Sequence, residues 1–143
     1  MLSSSPVAAI GPRHLPKYLW IMFAAYLLAS LAHFAHNAEF IVFYPNLPSW
    51  LTREHVYFAW LAITGIGVLG LAVTRTRWRT VGVALMGLYG AFGLDGLAHY
   101  TLALCGEHTL VANVTIWSEA IAGVLLLLAC AVLVTRRLTL RPR

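Results

Sequence analysis

Charge is what this chain has least of. Of its 143 residues only 10% are Asp, Glu, Lys or Arg, and just five are acids. Soluble globular domains carry about 25% charged residues, so a soluble domain is excluded. Cysteine is nearly as scarce: Cys105 falls in a predicted loop and Cys130 deep in the last apolar run. A bridge needs Cα atoms within about 7 Å, so neither a disulfide framework nor a redox role is expected. Long polar stretches are also missing, which leaves no room for a separate soluble domain.

What is present is apolar. Hydrophobic residues make up 60% of the chain, and at roughly 20 apolar residues per helical crossing the length accommodates four spans. The sequence therefore predicts an all-α integral membrane four-helix bundle with up-down-up-down topology, its short connections making consecutive helices antiparallel neighbours. The bundle is expected over residues 18–135, between a mobile N-terminal segment at 1–17, rich in Ser, Pro and Gly, and a basic tail at 136–143.

The net charge of +5 comes from Lys and Arg gathered at the ends of the apolar runs. That is a topology signal, and no nucleic-acid partner is expected. Arg13 and Lys17 precede the first run, Arg75, Arg77 and Arg79 separate the second from the third, and Arg136, Arg137, Arg141 and Arg143 follow the last. The other side has only Arg53. The positive-inside rule then puts both termini in the cytoplasm. The expected location is a bacterial inner membrane, with two loops facing the periplasm.

The four predicted spans cover about Tyr18 to Phe43, Val56 to Thr74, Val81 to Leu104 and Val111 to Val134. Between the first two, Pro45 and Pro48 stop the helix, while Tyr44 and Trp50 suit the headgroup level. Gly65, Gly67 and Gly70, and five glycines between Gly82 and Gly96, mark places where neighbouring helices approach closely.

Against this apolar background, SLAHFAHNAEF (Ser30 to Phe40) puts His33, His36, Asn37 and Glu39 in the far half of the first span. Spacing of i, i+3, i+4 gives His33, His36 and Asn37 one helical face, with Glu39 turned partly aside. Asp95 and His99, at i and i+4, share a face of the third span, and the fourth carries Asn113, Thr115 and Glu119. At about 1.5 Å per residue, His33, Asp95 and Glu119 fall roughly 13–15 Å below the outer surface, and His36, His99 and Thr115 roughly 6–10 Å below it. Ionisable groups at membrane depth are costly and usually face a bundle interior or a water-filled cavity. The expectation is one polar site open to the periplasmic side. Asn37, Asn113 and Thr115 read as interhelical hydrogen-bonding groups, and His14, His55, His108, Glu54 and Glu107 as solvated surface.

Several chemistries fit such a cluster. The first is a metal site, with His33, His36 and His99 as ligands and Asp95 and Glu119 as ligands or proton-handling catalytic groups. Zn, Fe or Cu suits these donors, for redox or hydrolytic chemistry on a small or lipid-like substrate. The Glu-x-x-His pairs of di-iron bundles are absent. The second is metal-free: Asp95 or Glu119 as general acid and a histidine as base, isomerising an apolar substrate near Trp60, Tyr89 or Trp117. A b-type haem held by His36 and His99 is a third. The last is a proton or metal-ion pathway, or an accessory subunit of a larger membrane complex, for which a chain this short would oligomerise. Ser30-Leu31-Ala32 also has the small-x-small form of a signal cleavage site, which would free His33 as a copper-binding N-terminus.

Overall fold

The structure, a computed structural model, describes residues 15–139. His14, most of the expected N-terminal segment and the last four residues lie outside them. The described chain is all-helical, and four of its helical segments are long and apolar enough to cross a membrane. These are α1 (Lys17–Glu39), α2 (Arg53–Val73), a broken third span from Arg79 to Leu102, and α5 (Leu110–Thr139). The third span consists of α3 (Arg79–Ala91), a 3-10 stretch over Phe92–Ala98 and the short α4 (His99–Leu102).

Helix ends follow local chemistry. Pro16, with φ −57° and ψ 142°, fixes the entry to α1. The helix stops at Glu39, short of the expected Phe43, because Phe40 leaves helical geometry and a 3-10 turn over Ile41–Phe43 follows. Past that turn Asn46 takes a positive φ of 58°, a conformation Asn tolerates better than most residues. Its Nδ2 donates to the carbonyl of Leu102 at 2.8 Å, tying the loop to the end of the third span. α2 begins at Arg53, earlier than expected, since Thr52 and His55 cap each other. The His55 N–H donates to Thr52 Oγ1 and the Thr52 N–H to His55 Nδ1, each at 3.4 Å. Arg53, at 2.6 Å, and Tyr57, at 2.7 Å, both reach Glu39 and join the end of α1 to the start of α2.

α5 packs along α1 and α3, and α2 packs on α1 and α3 from the side. The third span is 44% buried over its most apolar window against 17% for α2, so the interior is made chiefly by α1, the third span and α5. Two glycine contacts set these distances. A Cβ on Gly82 would stand 2.7 Å from the Gly70 carbonyl, and one on Gly90 2.7 Å from that of Gly123. In lipid, where apolar surface gains little by leaving its solvent, such close approach is a main source of helix association. One end of the bundle is a core of Leu19, Phe23, Tyr26, Val83, Met86, Tyr89, Leu126 and Cys130. The other end holds the polar residues.

Candidate functional site

The inward face of α1 reads Leu19, Phe23, Tyr26, Ser30, His33, Asn37. These steps of four and three keep one stripe against the neighbouring helices. The stripe changes halfway from large apolar groups to polar ones. α5 runs the same way in reverse, with Cys130, Leu126 and Gly123 followed by Glu119, Ile116 and Ala112. His33 and Glu119 meet where the two polar halves cross.

His33 is 2% exposed and Glu119 1%, and His33 Nε2 stands 3.7 Å from Glu119 Oε2. Neither carboxyl oxygen of Glu119 has a hydrogen-bond partner. The other ring nitrogen, His33 Nδ1, lies 3.4 Å from Thr115 Oγ1. That hydroxyl already donates its only hydrogen to the Ala112 carbonyl at 2.9 Å, so it accepts from His33. In a neutral ring this arrangement favours the proton on Nδ1, which leaves Nε2 facing Glu119 as an acceptor. One further proton completes the pair, held either as a carboxylic acid facing an imidazole or as a carboxylate facing an imidazolium. Gly96 makes room for it: a Cβ there would come within 3.1 Å of Glu119 Oε2 and 3.7 Å of His33 Nε2.

Other imidazoles continue outward. The His99 ring centroid is 5.4 Å from that of His33 and 6.1 Å from that of His108. Asn37 Nδ2 donates to His99 Nε2 at 3.2 Å, and Asn37 Oδ1 is buried without a partner. Turned over, the same amide would offer Oδ1 to a protonated Nε2, so it can serve His99 in either charge state. Tyr44, 4% exposed, packs among these rings at 4.9 Å from His99, 5.7 Å from His36, 6.2 Å from His108 and 6.5 Å from His33. Its hydroxyl meets His36 Nδ1 at 2.8 Å. Burial pushes the Tyr44 phenol up to about 12, so it stays protonated at neutral pH.

His108 departs from the expected solvated surface. It is 7% exposed, and neither ring nitrogen has a hydrogen-bond partner. The loop closes over the bundle because Asn113 Nδ2 donates to the Cys105 carbonyl at 3.0 Å and Tyr100 donates to Asn113 Oδ1 at 2.8 Å, folding His108 under. Tyr44, expected at headgroup level, is likewise drawn inside. Their loop positions hid both; the aromatic and imidazole content of those loops was the available signal.

Asp95 does not join the cluster by any direct contact, although its carboxyl is near enough to act electrostatically on Glu119 and Tyr26. It is exposed on the outside of the bundle, with no hydrogen bond or ion pair among the described residues. The shared face expected for Asp95 and His99 assumes α-helical geometry, but Phe92–Ala98 is 3-10. At three residues per turn, a step of four rotates the side chain by about 120° beyond a full turn. His99 stays inside and Asp95 swings out. A charged Asp at the centre of a lipid-facing helix costs about 2.5–3.5 kcal/mol on insertion scales. His36 is also off the buried stripe, half-buried and engaged with Tyr44.

Among the described residues, no group of three or more His, Cys, Asp or Glu side chains is disposed to hold a metal ion. The expected Zn, Fe or Cu centre thus has no support in the donor geometry. Both histidines considered for haem, His36 and His99, pack against the Tyr44 ring, at 5.7 and 4.9 Å. Trp117, considered for an isomerase site, is 50% exposed on the outer surface. Comparison with known protein families, with curated proteins and with solved structures gave no match for this chain.

Proposed function

We propose that this chain is a proton-handling protein of a bacterial inner membrane, with four up-down-up-down spans, both termini in the cytoplasm and the polar half of the bundle toward the periplasm. The orientation is supported by the nine Lys and Arg on one side of the apolar runs against Arg53 alone on the other. The function rests on one observation: a carboxyl group 1% exposed, with no hydrogen-bond partner, facing His33 Nε2 at 3.7 Å. Such a group in a bundle interior characterises proton relays.

In this reading Glu119 and His33 exchange one proton, and His99 and His108 pass it to and from the end of the bundle. His33 takes the proton on Nε2 and, because its Nδ1 faces Thr115 and its ring stands 5.4 Å from that of His99, hands it on by turning its ring or through a bridging water. Asn37 reorients with the charge of His99, and Tyr44 orders the rings. The protein serves as a proton pathway or as the proton-exchanging accessory subunit of a larger complex.

Infrared difference spectroscopy on the protein in lipid vesicles, stepping the external pH, tests this directly. A carboxylic-acid C=O band that responds to the step, vanishes in Glu119→Gln and responds about 100-fold more slowly in His99→Ala supports the relay, in line with the usual worth of a positioned proton-transfer group. A Glu119 band that never responds to external pH, or responds equally fast without His99, contradicts it.

A further inference from the structure

Asp95 raises a question the relay does not answer: an unpaired carboxylate faces outward from a membrane span. Counted from Leu102, the end of that span, it lies about 10–14 Å inside the apolar region, deeper than the short Asp side chain can reach back to water. Beside it is a shallow cavity of about 160 Å³ lined by Leu88, Ala91, Phe92 and Asp95. Leu88 is 47% exposed. This is an apolar face with one buriable anion at its edge, and any helix covering it would have to answer that charge.

Among the described residues no interior cation is available to it. Each described Lys and Arg stands at or beyond the end of a span: Lys17, Arg53 and Arg79 begin spans, and Arg136 and Arg137 are in the last turn of α5. Arg53 is engaged with Glu39 in any case. A second copy of the chain would bring another Asp95 and no interior cation, setting two anions against one another in lipid.

We propose that the Leu88–Asp95 face is the docking surface for a membrane-spanning helix of a different protein, one that carries a Lys or Arg at the depth of Asp95. Leu88 and Phe92 supply the apolar contact and Asp95 fixes register and partner. Paired in this way, both charges are neutralised within the bilayer, where an unmatched one is disfavoured. The partner is thereby defined by chemistry: a membrane protein with a single basic residue inside an otherwise apolar helix. The surface is opposite in character to the relay cluster and does not depend on it, since a proton-inert chain would still present Asp95 to lipid.

The test is photo-cross-linking of the full-length protein in its native membranes, with the photoreactive residue at Leu88 and the adduct sequenced. The expected product joins Leu88 to a span of another polypeptide containing Lys or Arg. Its yield falls about tenfold in Asp95→Asn, by the scale of one polar contact between membrane helices, and is retained in Asp95→Glu. Thermal melting of Asp95→Asn confirms that the bundle itself is intact, as an exposed position predicts. Adducts with lipid alone, with a second copy of this chain or with a helix lacking a basic residue overturn the proposal. So does a yield indifferent to Asp95→Asn.

Discussion

The two ends of this bundle are built on the same backbone pattern and do opposite things with it. Along α1 the stripe Leu19, Phe23, Tyr26 closes onto Val83, Met86, Tyr89 and Leu126, whereas its continuation, Ser30, His33, Asn37, meets Glu119 and His99. At the apolar end, volume and glycine contacts dominate, and the hydroxyls of Tyr26, Thr64 and Tyr89 are the buried groups left without hydrogen bonds among its core neighbours. At the polar end, Glu119 Oε1 and Oε2, Asn37 Oδ1 and both nitrogens of His108 are buried without hydrogen-bond partners. An orphaned buried polar group costs about 1–3 kcal/mol. The polar end is tied by bonds such as Asn46 to the Leu102 carbonyl and Tyr100 to Asn113, and what its groups without hydrogen bonds give up in stability they return as protonatable sites.

Substitutions should separate the two ends. The largest effect is expected from Leu126→Ala: fully buried, it should lose roughly 2–3 kcal/mol, the lower range for such cavities because in lipid only packing is lost. Reversible unfolding in mixed micelles measures it. Glu119→Leu should differ sharply: it removes two oxygens without hydrogen bonds but strips buried His33 Nε2 of its partner, so stability should change by no more than about 1 kcal/mol while proton exchange is abolished. If Glu119→Leu destabilised as strongly as Leu126→Ala, the two ends would not differ as described.

Gly96→Ala sharpens the contrast. Its Cβ would press on Glu119 Oε2 from 3.1 Å, costing about 1 kcal/mol of overpacking yet slowing the pH response far more than its effect on melting suggests. A smaller effect is expected at Tyr44. Its ionisation lies at 10.0 ordinarily and about 12 in the folded chain. A raised folded value means stability fully present below pH 10 and lost as pH rises toward 12. Tyr44→Phe should flatten that part of the stability profile and lower neutral-pH stability by about 1 kcal/mol through the lost contact with His36.

How much of this could be read from residues alone depends on the period assumed. Four apolar runs of sufficient length follow from composition, and the structure contains four helical segments of membrane-spanning length. His33 and Glu119 lie on regular inward stripes, so α-helical spacing was enough to suggest that they face neighbours. Asp95 was misplaced for the same reason that His33 was placed: spacing of i and i+4 assumes 3.6 residues per turn, and the span changes to 3-10 at Phe92. Gly93 and Gly96 were visible, but nothing in a single sequence says that they tighten the helix there. His108 and Tyr44 were hidden differently. Whether a loop lies open or folds inward is decided by distant pairings such as Tyr100 with Asn113 and Asn46 with the Leu102 carbonyl, and those have no local signature.

Proton handling at this site requires that His33 carry its proton on Nδ1, toward Thr115, and aim Nε2 at Glu119. Nitrogen-15 solid-state NMR of histidine-labelled protein in lipid bilayers reads this directly. The expected spectrum has His33 protonated on Nδ1 and an Nε2 resonance that shifts in Glu119→Gln. A His33 ring protonated only on Nε2, with both resonances unmoved by that substitution, would contradict it.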